Sequence, residues 1–291
     1  MRAVLAIFLP MLCVAQSEVL EFKGKALQVQ AACTEDDIES LGIACTAETP
    51  CPLYLELTSH GAASNRLFVA GNLHTERATM SSIVLASEDG GRTWSEPHPR
   101  IKHASLDQTQ FFDLQTGWIS GQVVGALPRD PFFLLTTDGG KTWRQRSVFS
   151  ESAPGSVDQF VFESPKVGSV IIDRTAGAEG GRYTLMESQT GGESWSIRSV
   201  DRTRGKLPAP SPVSSAWRLQ PHAATKAYRI ERKEANGGWI MVSSFLIHAG
   251  ECKPTEVSEL REPPPEPDQP SADAVAEFQI GGSKKSTPKK K

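Results

Sequence analysis

Four glycine pairs, Gly90-Gly91, Gly139-Gly140, Gly191-Gly192 and Gly237-Gly238, recur at intervals of 49, 52 and 46 residues. A period of that size confines the chain to repeat architectures whose unit is a handful of short elements. The flanks align too. "SSIVLASEDGGRTWSEP", "PFFLLTTDGGKTWRQRSVF", "RYTLMESQTGGESWSIRSV" and "KAYRIERKEANGGWIMVSSF" are each an apolar run, a glycine turn and a second run near a Trp, which predicts a β-hairpin. Two further strand-like runs precede each of the first three hairpins: "CPLYLELTS" and "RLFVAGN", "QTQFFDLQ" and "TGWISGQ", "DQFVFES" and "KVGSVIID". The fourth unit offers "PVSSAWRLQ" and then no clear second run. Four short strands in about 45–50 residues describe a propeller blade. No long stretch carries a 3.6-residue apolar period, so helices should be few. The expected fold is all-β, a β-propeller-like array of about four four-stranded blades, as a small ring or an incomplete one.

Repetition also settles how the polar residues of the turns are to be understood. Asp89 and Asp138 precede the second glycine by two residues. There a carboxylate accepts from N–H groups of its own turn, while glycine takes the positive φ the hairpin needs. A Trp three residues beyond that glycine covers the hairpin with its apolar face. One constellation occurring three times argues for a folding unit rather than a catalytic carboxylate. Its expected members are Ser87, Asp89, Gly91 and Trp94; Thr136, Asp138, Gly140 and Trp143; and Ser188, Gly192 and Trp195. Thr190 stands where the third Asp is expected, and the fourth turn lacks the Asp and two residues of the spacing.

"SEDGGRTW" and "TTDGGKTW" resemble the Asp-box, or BNR, pattern S/T-x-D-x-G-x-T-W found in sialidases, sortilin-type receptors and photosystem II assembly and stability factors. "FFDLQTGWISGQ" followed by "PFFLLTTDGGKTWRQRSVF" is most similar to the assembly-factor group. The resemblance covers residues 51 to about 200 well and 201 to 252 weakly. It implies a β-propeller and, through the assembly factors, a non-catalytic module that binds a protein partner. The alternative is an extracellular glycan-binding protein or sialidase-like glycosidase. A sialidase would need an arginine cluster, a Tyr nucleophile supported by Glu, and an Arg-Ile-Pro motif. The chain has Tyr54, Tyr183 and Tyr228, and its nearest phrases to that motif are "HPRI" and "YRIE". Neither a G-x-S-x-G elbow nor an H-E-x-x-H helix appears. No catalytic residue and no cofactor is therefore expected.

The ends of the chain belong to other categories. "MRAVLAIFLPMLCVAQS", residues 1–17, has a basic start, an apolar run shorter than the ~20 residues of a membrane span, and small residues at Ala15 and Ser17. It predicts a signal peptide, and with it a secreted or periplasmic protein. Residues 18–50 should form an edge strand over 18–30 that closes the first blade to the last and a Cys-containing connector over 31–50, with 51–252 the repeat domain and 253–291 a disordered tail, Pro/Glu-rich and then Lys-rich. A formal net charge of -3 gives no reason to expect nucleic acid. In an oxidising compartment Cys33, Cys45, Cys51 and Cys252 should form two bridges. Without a C-x-x-C pair, and with six scattered His, a metal site is not expected. Cys51 and Cys252 bracket the repeats, so the expected pairs are Cys51 with Cys252 and Cys33 with Cys45; the competing arrangement, with the three amino-terminal cysteines close together, has Cys45 or Cys33 take Cys252. Arg129 and Asp130, and Asp173 and Arg174, are charged pairs beside apolar strands and candidates for a shared surface.

Overall fold

The computed structural model describes residues 19–63, 65–174, 180–209 and 216–254. The expected signal peptide and the tail from residue 255 onward lie outside the described residues. Short elements open the chain: β1 (Leu20–Glu21), β2 (Ala31–Ala32) and α1 (Glu35–Leu41), the last held by a capping box in which Thr34 and Asp37 exchange hydrogen bonds. The first blade is β3 (Cys51–Ala63), β4 (Arg66–His74) and β5 (Thr79–Ser87), with β6 (Thr93–Trp94) attached through a bridge between Ala86 and Ser95. The second is β7 (Ala104–Phe111), β8 (Gly117–Val123), β9 (Arg129–Thr136) and β10 (Arg144–Ser147). The third is β11 (Ser156–Phe162), β12 (Gly168–Asp173), β13 (Tyr183–Ser188) and β14 (Ser196–Asp201). All are antiparallel meanders, and the second and third are four-stranded sheets.

The fourth sheet departs from the expected four strands. It contains β15 (Trp217–His222), β16 (Ala227–Lys233) and β17 (Trp239–Leu246), so Gly237-Gly238 joins its second strand to its third. The amino-terminal segment borders the remaining edge, with Leu27 N–H donating to Ser244 O and Leu246 N–H to Leu27 O. The same segment pairs β1 with β6, then pairs β2 in parallel with β18 (His248–Cys252), which in turn runs antiparallel to β3. Residues 20–32 thus join the last blade to the first.

The apolar cores lie between consecutive sheets, because strands buried on both faces, such as β4 and β8, have no solvent side. Phe68, Phe111, Ile119 and Trp143 fill the space between the first and second blades. Trp118, Phe133, Phe162 and Val170 fill that between the second and third. Leu57, Trp94, Trp217 and Phe245 fill that between the fourth and first. On the third blade, residues after β14 pack against the inner strand: Leu207 N–H donates to Gln159 Oε1 and Arg204 pairs with Asp158 at 2.6 Å.

The disulfides correct the expected pairing. Cys51 and Cys252 are direct partners across β3 and β18, so the two ends of the repeat array do meet, yet the bridges are Cys33–Cys252 and Cys45–Cys51. The reason is that β18 is an interior strand with a cysteine on each side. Cys33 follows β2 on its far edge, with Cα atoms 4.8 Å apart, while the short connector brings Cys45 onto Cys51 at 5.3 Å. In the chain-entropy account, closing a separation of 219 residues stabilises by about 5 kcal/mol and closing one of 6 by about 2. Cys252→Ser should therefore lower the unfolding free energy well beyond Cys45→Ser. Non-reducing peptide mapping should show 33–252 and 45–51 linkages, and a 51–252 linkage would contradict the arrangement of β18.

Candidate functional site

The repeated turns consume their own polar groups. Asp89 Oδ1 accepts from Arg92 N–H at 3.0 Å, Thr93 N–H at 2.9 Å and Ser87 Oγ at 2.9 Å, while Oδ2 accepts from Thr93 Oγ1 at 2.7 Å. Ser87 Oγ in turn accepts from Gly91 N–H at 2.8 Å, and Trp94 Nε1 donates to Gly91 O at 3.0 Å. Thr136, Asp138, Gly140, Thr142 and Trp143 repeat this set. In the first three pairs the first glycine donates to the neighbouring turn of its blade, Gly90 to Asn65 O, Gly139 to Gln115 O and Gly191 to Lys166 O, whereas Gly237 donates to Glu234 O of its own turn. The second meets the preceding blade, and a Cβ on Gly140 would lie 2.3 Å from the Phe68 ring.

In the third turn Ser188 Oγ still accepts from Gly192 N–H, at 2.9 Å, but Thr190 offers only Oγ1, which accepts from Ser194 N–H at 2.9 Å. Trp195 stacks on Phe133 with its Nε1 unpartnered, and Trp118 donates to the Gly191 carbonyl at 2.8 Å.

Burial alone would raise the Asp89 and Asp138 carboxyls, but the converging donors outweigh it and hold both at about 2. A carboxyl depressed in the folded state stabilises above its unfolded value near 4 and loses that contribution as pH falls toward 2. Asp138→Ala should cost about 1–3 kcal/mol at neutral pH through orphaned donors. Trp143→Ala should cost about 3–5 kcal/mol through lost core. Thr190→Asp should raise the melting temperature at pH 7 and lose its advantage near pH 2. Thermal denaturation across that pH range checks all three.

The opposite ends of the strands are chemically different. β5 separates them by about 26 Å at the usual rise per residue. Three inner strands carry a bulge at one repeat position: Thr58 in β3, Asp107 in β7 and Asp158 in β11 are each skipped by the ladder. Thr58 Oγ1 donates to Leu106 O of the next blade at 2.7 Å. Asn72 Oδ1 accepts from Leu106 N–H at 2.8 Å, and Gln108 Nε2 donates to Asp158 O at 3.1 Å.

Asp107 is mostly buried. Burial pushes its carboxyl up, the hydrogen bond from Gln122 Nε2 at 2.6 Å opposes this, and the charge of Glu56 adds to the rise. Tyr228, from the fourth blade, is raised by burial and by the same Glu56, against a backbone hydrogen bond with Leu57. The charge of Glu56 thus acts on both Asp107 and Tyr228, and the three residues come from three blades.

Beside Glu56 a cavity of about 580 Å³ runs along the Thr75–Ala78 turn to Val124 and Ala126, with Ser40 of α1 on its rim. His74 bonds the Thr75 carbonyl through Nδ1 at 2.8 Å, which requires the proton there and leaves Nε2 as the acceptor of the neutral ring. Glu76 and Arg77 also line it. Among the described residues no three His, Cys, Asp or Glu side chains are grouped to hold a metal.

The charged pairs picked out from sequence do not line this cavity. Arg129 pairs with Asp130, which also accepts from Ser152 Oγ and Ala153 N–H. Asp173 binds Arg182 through both oxygens, not Arg174. The bulge position was missed, although "LTS", "LDQ" and "VDQ" stand in register in the three repeats and carry its signal.

A raised carboxyl is more stable protonated, so its ionisation in the folded state is a cost above the unfolded value. Asp107→Asn should therefore raise the melting temperature at pH 7 and do little near pH 3, a comparison that thermal scans at the two pH values make directly.

No family model matches the chain, and no curated protein matches it. Solved structures similar to it are propellers at low identity. The YCF48 protein bound to D1 peptide is 16% identical over 66% of this chain and 56% of its own, with a TM-score of 0.38. The phage phi92 endosialidase is 9% identical over 75% and 51%, TM-score 0.39, and the Penicillium chrysogenum alpha-L-arabinanase complexed with arabinobiose is 12% identical over 68% and 62%, TM-score 0.34. The chain spans roughly half to three-fifths of their lengths. The fold is all-β and propeller-like.

Proposed function

We propose that this chain is an exported, non-catalytic propeller module, related to the Asp-box proteins, that holds a segment of a protein partner in the cavity beside Glu56. The observation that carries the proposal is the division of labour between the two ends of the blades. At one end Asp89 and Asp138 are saturated by bonds within their own turns. At the other, backbone turns wall a polar cavity of a size that takes ligands. The two disulfides support an oxidising compartment. No helix among the described residues is long and apolar enough to cross a membrane.

Glu56, whose charge acts on both Asp107 and Tyr228, favours a second reading, recognition or cleavage of a glycan, since neighbouring carboxyls are what glycoside chemistry uses. Immobilised full-length protein should retain a polypeptide partner from the native envelope. Ala126→Trp on the cavity wall should abolish that retention, and Leu114→Trp on the opposite end should not. Selective binding on a glycan array, or turnover of glycosides, with no retained polypeptide would establish the second reading instead.

A further inference from the structure

Residues 42–50 cross from α1 to β3 as a strap with few ties to the rest of the domain. At its start Gly42 N–H donates to Glu39 O and Ile43 N–H to Ile38 O, which close the end of α1. Beyond Ile43 the hydrogen bonds stay within one turn: Thr46 N–H donates to Thr49 O at 3.1 Å, Thr49 N–H to Thr46 Oγ1 at 3.0 Å, and the two hydroxyls meet at 2.9 Å. Among the described residues no hydrogen bond or ion pair joins 44–50 to another element. The burial of Cys45 and its disulfide to Cys51 hold this stretch in place.

The two disulfides differ in exposure and in what they close. Cys33 and Cys252 are 3% and 0% exposed, whereas Cys51 is half-buried and lines a cavity of about 240 Å³ together with Ile43, Pro50 and Pro52. The 75–77 turn lines the same cavity and also the larger one beside Glu56, so the two spaces share a wall. A bridge closing a separation of 6 residues stabilises far less than one closing 219, and the domain stays folded when only the short one opens.

We propose that the Cys45–Cys51 disulfide is a redox latch on this strap, opened by a dithiol reductant while Cys33–Cys252 stays closed. A thiolate of the reductant attacks Cys51 Sγ, because Cys45 is the buried partner. The S–S bond breaks with its electron pair on Cys45 Sγ, which takes a proton. The second thiolate of the reductant then attacks the mixed disulfide and releases Cys51, which takes a proton in turn. The reductant leaves as its own disulfide, so two electrons and two protons pass to the protein. Once opened, 44–50 keeps its own turn but has no cross-link at its base, and the wall of the smaller cavity moves with it. Through the shared 75–77 turn the latch sets access of a partner segment to the larger cavity, a step that rests on the proposed function.

Graded dithiothreitol on the full chain under native conditions, followed by alkylation and peptide mapping, tests the order of opening. Cys45 and Cys51 should be labelled at reductant concentrations at least about tenfold below those that label Cys33 and Cys252. Hydrogen exchange read by mass spectrometry tests the strap: on selective reduction the amides of 43–50 should exchange at least about tenfold faster, with β4 and β18 unchanged. The Cys45→Ser/Cys51→Ser variant should show the faster exchange without reductant and no response to it. Reoxidation should restore protection in the wild type, which keeps the test independent of how the variant folds. Labelling of all four cysteines together overturns the inference, as does unchanged exchange at 43–50 in the reduced chain, or exchange that rises across β4 and β18 as well. A native polypeptide retained by only one of the oxidised and selectively reduced chains supports control of access, and equal retention by both overturns it. No polypeptide retained by either overturns the proposed function, while the latch is decided by labelling and exchange alone.

Discussion

Among the described residues no backbone ladder joins the sheets of the first three blades, and their relative register is set by side chains of one blade that bond the inner-strand backbone of the next. Thr58 and Asn72 grip Leu106 at its carbonyl and its amide. Gln110 does the same for Phe162 with both ends of one amide, at 2.8 and 2.9 Å. Such bonds form only if the donor strand stands at one height against its neighbour, and the buried aromatic residues then have one way to interlock. Trp118 against Phe162 at 3.7 Å between ring centres, and Phe68 against Phe111 at 4.8 Å, are packing that follows from that height. The glycine turns come next, since Gly140 and Gly192 fit because the rings beneath them are already placed.

The bulges link this scaffold to the cavity. A skipped residue turns its side chain out of the alternation that would otherwise bury or expose it. Thr58 uses that freedom for an interblade bond, Asp158 uses it to meet Arg204, and Asp107 keeps a carboxyl with no cation. One backbone device thus serves two joints and, at the third position, holds the Asp107 carboxyl against the neutral Gln122 amide. Function grafted on a repeated fold is expected where one repeat departs from the others in this way.

Much of this was legible in the sequence because it is local. The hairpins, the turn chemistry of Asp89 and Asp138, and the few helices all follow from spacing within about 20 residues. What was not legible is non-local. The edge strand expected over residues 18–30 does join the last blade to the first, but nothing in "KAYRIERK" tells that its sheet stops at three strands and leaves the edge that Leu27 borders from over 200 residues away. The disulfide pairing failed for the same reason, because the ends of the array were correctly adjacent but the insertion of β18 between β2 and β3 was invisible. The cavity, too, gathers residues far apart in the chain: Ser40 from α1, Glu56 and the Thr75–Ala78 turn from the first blade, and Ala126 from the second.

The amino-terminal stitching has a consequence for the order of assembly. Leu20 waits for Trp94, but Leu27 and Ala31 find their neighbours only at Phe245 and Gly250, and Cys33 only at Cys252. The first residues of the domain are therefore among the last to become ordered, because loop-closure entropy must be met before those contacts form. Until then Trp217, Ile230 and Phe245 have an incomplete cover, and the last blade is a three-stranded sheet with an open edge. Oxidation of Cys33 onto Cys252 ties the amino-terminal segment to the strand beside the final blade, and so limits renewed exposure of that blade's edge.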